Sequence, residues 1–242
     1  ENAILVAPSD KTAAGEIFTT NGMKPHSKPT ALSSEGIDDV INGFVTASKN
    51  AMEAGFDGVE LHGANGYLLE QFLNPNVNSR EDQYGGSVEN RIRFIVELTS
   101  AVVDAIGKDK VGIRLSPYSN LGDLANYPEQ EVHQTYALLV KVFENLGIAY
   151  IHIAKNAEIP EKTFQAIRAA YSGTIILCNG LTPETGENAL HEGFADLVAY
   201  GKSFLANPDL VTRIEKEAPL NEIDFGTLYG VDEKGYTDYP TL

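Results

Sequence analysis

The chain has 242 residues, enough to bury a sizeable core, and its 43% apolar content is that of an ordinary globular protein. A formal net charge of −16 argues against nucleic acid or an anionic membrane as partner, and no apolar run approaches the roughly 20 residues that span a bilayer. The single cysteine, Cys178, excludes an internal disulfide and fits a reducing, cytoplasmic setting. The first ten residues, ENAILVAPSD, lack the basic and apolar regions of a signal peptide.

Along the chain, Ile37, Val40, Ile41, Phe44, Val45, Ala51 and Met52 recur at helical spacing, predicting a helix over 34–55 with Gly55 at its C-terminal cap. A short strand follows at 57–62. A loop rich in Asn and Gly leads to a helix within 85–107, where Ser87 suits the N-cap and Glu89 the first turn. The remaining elements are a strand at 110–116, a helix at 129–147, a strand at 149–154, a helix at 161–171, a strand at 174–178, a helix at 183–193 and a strand at 196–201. A last helix is expected from about 203 to 216. Strict strand–helix alternation with short connections predicts parallel α/β, and no linker or charge block divides the chain, so 1–242 reads as a single domain.

An open doubly wound sheet and a (β/α)8 barrel both fit that alternation. The barrel is favoured because His62, Arg114, Asn179 and Gly201 fall at C-terminal strand ends, where barrel sites are built. Only about five βα units are visible, against the eight of a closed barrel.

The stretch LHGANGYLLEQFLNP at 61–75 holds three hydrogen-bonding side chains at a strand mouth. The imidazole of His62 and the amide of Asn65 can donate together to one carbonyl or nitro oxygen, and the hydroxyl of Tyr67 is a competent general acid. The plainer alternative is that His62 caps the strand and Asn65-Gly66 is a turn. Arg114, inside VGIRLS, is costly in a buried strand unless it meets an anionic or carbonyl-rich group; the alternative partner is a carboxylate such as Glu60. Two glycine turns, CNG at 178–180 and YGK at 200–202, resemble the backbone phosphate sites after the last strands of barrels, with Lys202 adding a charge. Each glycine could equally just end a strand. His152 reads as a satisfied core histidine, His133 and His191 as surface residues and His26 as a loop residue. No pair has metal-ligand spacing, so no metal site is expected. Cys178 has no catalytic neighbour, and GxGxxG, Walker and GxSxG motifs are missing.

With the motifs AGFDGVELHGANGYLLEQFL, NSREDQYGGSVENRIRF, VGIRLSP, NPDLVTRI and GYTDYPTL, the sequence resembles the Old Yellow Enzyme family of flavin-dependent ene-reductases, near its N-ethylmaleimide reductase-like branch. That resemblance spans nearly the whole chain. It implies a (β/α)8 TIM barrel with non-covalent FMN at its C-terminal mouth, reduced by NADPH or NADH, and ping-pong reduction of activated C=C bonds in α,β-unsaturated carbonyl or nitro compounds. By position in the motifs, His62 and Asn65 would bind the substrate oxygen and Tyr67 would give the proton. Arg114 would contact the flavin pyrimidine, and Asn179, Gly180, Gly201 and Lys202 would surround the FMN phosphate, with Tyr236 lining the substrate side. Lys202 stands where the family usually has Arg, and Asn179 where glycine is common, so weaker phosphate binding is expected. The family also begins with three further strand–helix units. The chain therefore matches the C-terminal two thirds of such a barrel, and the expectation is that another chain supplies or covers the missing strands. The alternatives are a non-catalytic half-barrel that binds no flavin alone and, less favoured for want of a Schiff-base lysine in a strand, an aldolase- or isomerase-type phosphate-binding barrel.

Overall fold

The computed structural model describes residues 4–156 and 159–242. They form two compact units, 1–175 and 176–242. The first unit opens with two short pairings. Strands β1 (Val6–Ala7) and β4 (Thr30–Ala31) pair in parallel, while β2 (Glu16–Thr19) and β3 (Gly22–Pro25) form an antiparallel hairpin with Thr19 opposite Gly22. The expected strand–helix elements begin only at residue 34, and this segment precedes them.

From there the expected order holds apart from one added helix, α2: helix α1 (Ser34–Glu53), strand β5 (Val59–Gly63), helices α2 (Leu68–Leu73, where a loop was expected) and α3 (Val88–Ile106), and strand β6 (Val111–Leu115). Helix α4 (Glu129–Leu146), strand β7 (Tyr150–Ala154) and helix α5 (Glu161–Ala170) follow. The caps explain the boundaries. Ser33 and Ser87 accept from Gly36 N–H and Asn90 N–H at the starts of α1 and α3. Gly55, at φ +91°, follows the last turn of α1, and Gly147 closes α4 in the left-handed conformation. Strand β5 begins later than the sequence suggests and ends on Gly63.

Strands β5, β6 and β7 form a parallel ladder in which Leu61, Ile113 and Ile151 share one row and His62, Arg114 and His152 the next. Because side chains alternate across a strand, these rows point to opposite faces. The first face is the core: Leu61, Ile113, Leu115, Ile151 and Ile153 are buried, each burial stabilising by roughly 1.5–3 kcal/mol. Helix α3 packs on β6 and against α1 and α4. The second face is polar, carrying Glu60, His62, Arg114, Tyr150 and His152.

The second unit begins within β8 (Thr174–Cys178), which pairs in parallel with β9 (Leu197–Ala199), with Cys178 opposite Ala199. Between them lies α6 (Pro183–His191), opened by a Thr182–Thr185 capping box. The single last helix expected over 203–216 is two: α7 (Lys202–Ala206) and α8 (Leu210–Glu215). Pro208 explains the break, since proline cannot continue a helix and disfavours the helical conformation in Asn207 before it. Among the described residues, no helix is long and apolar enough to cross a membrane.

Candidate functional site

The polar face of the three-stranded ladder collects most of the chemistry-bearing residues of the first unit. Two rows matter. In the lower row Glu60 stands level with Gly112 and Tyr150, and in the upper row His62 stands level with Arg114 and His152. Gly112 is required here, because a Cβ would sit 2.3 Å from the Tyr150 ring. Glu60 Oε2 lies 2.9 Å from His152 Nδ1. Burial alone would raise the Glu60 carboxyl, but the His152 contact, together with Tyr150 and the Arg114 charge, holds the group below its usual range.

Glu60 is thus hydrogen-bonded to His152, while the Arg114 charge also acts on it. Arg114 Nε is buried and has no hydrogen-bond partner among the described residues. A guanidinium in that state suits a ligand with carbonyl or anionic oxygens. His62 is pulled the other way: burial, then the Arg114 charge, lower its pKa from 6.5, so the imidazole is neutral at neutral pH. It can therefore donate one N–H without carrying a charge.

The turn after β5 presents the next two residues. Asn65 (φ +58°) and Gly66 (φ +80°) are consecutive left-handed residues, and Tyr67 is the N-cap of α2. Only glycine fits at 66, because a Cβ would lie 2.2 Å from the Leu121 carbonyl oxygen. Tyr67 is 62% exposed, and its ring centroid lies 5.3 Å from that of His62. His62, Asn65 and Tyr67 are therefore one cluster on a strand end and the turn that follows it.

The second unit places its candidates on turns that leave adjacent strand ends. Asn179 (φ +72°) and Gly180 (φ +66°) follow β8, and Gly201 (φ −86°) caps α7 after β9. A Cβ on Gly180 or Gly201 would meet nothing within 4 Å, so both turns offer open backbone. The Tyr200 hydroxyl donates to the Thr182 carbonyl at 3.2 Å, tying one turn to the other. Lys202 Nζ lies 5.5 Å from the Phe225 ring centroid, a cation–π contact. Tyr236 is partly exposed and donates to the Leu228 carbonyl at 2.8 Å.

Comparison with known proteins shows the family. The model of the NADH:flavin oxidoreductase / NADH oxidase family matches residues 1–221. The chain belongs to that family. Within it, the chain is 46% identical over 225 residues to 12-oxophytodienoate reductase 2 of Arabidopsis thaliana, covering 88% of this chain and 59% of that protein. It is 44% identical over 225 residues to 12-oxophytodienoate reductase 1 of Oryza sativa subsp. japonica, covering 90% and 59%. Morphinone reductase superposes with a TM-score of 0.91 at 38% identity over 98% of this chain and 66% of its own, and its complex with tetrahydroNAD gives 0.92 at 39%. The chain thus spans about 60% of the length of these curated relatives, and its five parallel strands are part of a TIM barrel of the Old Yellow Enzyme type.

Sequence reasoning missed the residues that hold this cluster in place. Glu70, Ser116 and Tyr136 form a buried hydrogen-bonded group behind the 64–67 turn. The one available signal was a glutamate inside the apolar run YLLEQFL. His133, expected at the surface, is half-buried. Among the described residues, no group of three or more His, Cys, Asp or Glu could hold a metal ion.

Proposed function

We propose that the protein is an FMN-dependent oxidoreductase that reduces the activated C=C bond of α,β-unsaturated carbonyl or nitro compounds, with NADPH or NADH as reductant. The observation that carries this reading is the upper row of the polar face, where a neutral His62 stands beside an Arg114 whose buried Nε lacks a partner among the described residues.

Each unit by itself carries residues that suit one part of FMN. Arg114 offers an unused buried donor to the electron-rich pyrimidine edge. Gly180 and Gly201, with Asn179 beside them, offer open glycine backbone to the phosphate, and Lys202 a cation. Bound FMN would supply the hydride to the alkene β-carbon after receiving it from the nicotinamide.

The chain's own residues do the rest. His62 and Asn65 donate to the substrate oxygen, drawing electron density from the alkene as charge develops in the transition state. Tyr67 passes its hydroxyl proton to the α-carbon as the hydride arrives, so the C=C bond becomes C–C with one hydride and one proton added. Tyr236 lines the substrate side. Reductant and alkene take turns at these residues, giving ping-pong order. The oxo group in the relatives' name, 12-oxophytodienoate reductase, supports a carbonyl as the oxygen held.

The test is an absorption spectrum before and after adding FMN, then NADPH without oxygen. A perturbed flavin band that bleaches is the expected result, and FMN that remains spectrally free would overturn the reading.

A further inference from the structure

The turn bearing Asn65 and Tyr67 rests on a buried carboxylate. Glu70, in the first turn of α2, is only 3% exposed. Its Oε2 accepts from Gly66 N–H at 2.7 Å, and its Oε1 accepts from the hydroxyls of Ser116 at 2.7 Å and Tyr136 at 3.2 Å. The Ser116 oxygen in turn accepts from Asn65 N–H at 2.7 Å. Both amides of the left-handed pair are therefore held by one carboxylate, directly at Gly66 and through one hydroxyl at Asn65. A non-glycine residue at positive φ costs on the order of 1 kcal/mol, and such a conformation persists where its surroundings over-determine it.

We propose that Glu70 is a positioning residue for substrate binding: its carboxylate, with Ser116 as relay, fixes the Asn65–Gly66 turn that aims Asn65 and Tyr67 at the substrate. The proposal rests on the roles given above to His62, Asn65 and Tyr67, and it adds a control on that same site.

Three donors converge on Glu70, an arrangement that suits the ionised form. Burial opposes it and pushes the carboxyl up to about 7. The groups facing it are Ser116 from the end of β6, Tyr136 from α4, and Tyr118 and Tyr127 from the loop between β6 and α4, which share one small hollow with it. Burial raises both Tyr127 and Tyr136 above their usual range, so both stay neutral across the range in which Glu70 titrates. No cation contributes to Glu70's own shift. Protonation removes an acceptor from one of the three donors, so the turn loosens as pH falls through neutrality.

Two measurements test this. In flavin-free protein, the Gly66 and Asn65 amide resonances should titrate together near pH 7. The Glu70→Gln variant should abolish that titration. In FMN-loaded protein, Glu70→Gln should raise KM for cyclohex-2-enone and lower kcat, cutting kcat/KM roughly tenfold, while FMN affinity stays put. Ser116→Ala, which cuts only the Asn65 link, should move KM the same way by less. A wild-type Gly66 amide that does not titrate, or a folded Glu70→Gln with the wild-type KM and pH profile, would overturn the proposal; the second result would mark a merely structural carboxylate. If Glu70→Gln does not fold, the wild-type titration and Ser116→Ala decide. A wild type whose amides titrate but which neither binds FMN nor turns over the enone would overturn the functional reading and leave the coupling standing.

Discussion

The strand-end turns of the two units solve similar problems by opposite means. After β5, the 64–67 turn is closed in from behind: Gly66 packs against the Leu121 carbonyl, and a buried carboxylate and a hydroxyl hold two successive amides. After β8 and β9, the 179–180 and 200–202 turns have bare glycines with nothing within 4 Å of where a Cβ would stand. Directing side chains at one atom requires fixed geometry. Receiving a phosphate on backbone N–H groups requires room instead.

This contrast breaks most sharply with alanine. Gly66→Ala combines positive φ with a carbonyl 2.2 Å away and should cost more than about 3 kcal/mol in urea unfolding. Gly180→Ala, with positive φ but open space, should cost only about 1 kcal/mol. Equal costs would mean that the closed turn is not closed.

Stability should also depend on pH through the closed turn. Glu70 rises from its ordinary 4.5 to about 7 on folding, so the folded chain holds that proton more tightly. Its contribution is full below pH 4.5 and declines as pH rises through 7, by up to roughly 3 kcal/mol. Urea midpoints across that range check this, and Glu70→Gln should flatten the decline.

Much of this was legible in advance. Alternating apolar runs marked all five strands of the parallel ladders, and polar residues at their C-terminal ends marked His62 and Arg114. The rest depended on contacts distant in sequence. Ser116 meets Glu70 across 46 positions, and no local pattern announces such a pairing. Helix α2 is only six residues long and merges with the apolar run that contains it. The β2–β3 hairpin and the break before α8 are different, because Asn21-Gly22 and Asn207-Pro208 are standard turn signals that the prevailing alternation masked.

Two smaller effects sharpen the comparison on the ligand side. Arg114→Leu should weaken FMN binding by about 2 kcal/mol, measured by fluorescence titration, since a charged donor to the ring is lost without a change of fold. Lys202→Arg should strengthen it by less than about 1 kcal/mol, the gain of a planar fork over a point charge. A larger effect at Lys202 than at Arg114 would shift the weight of recognition from ring to phosphate.

The central claim is that His62 and the closed turn that follows it hold the alkene substrate, and one measurement meets it directly. Protein reduced anaerobically with NADPH is mixed with cyclohex-2-enone, and flavin re-oxidation is followed in wild type and in His62→Ala. The account predicts re-oxidation in wild type and a roughly 100-fold slower rate in the variant, as for loss of one oxyanion donor, with reduction by NADPH intact. A reduced wild type that the enone leaves unoxidised, or a variant as fast as wild type, would contradict it.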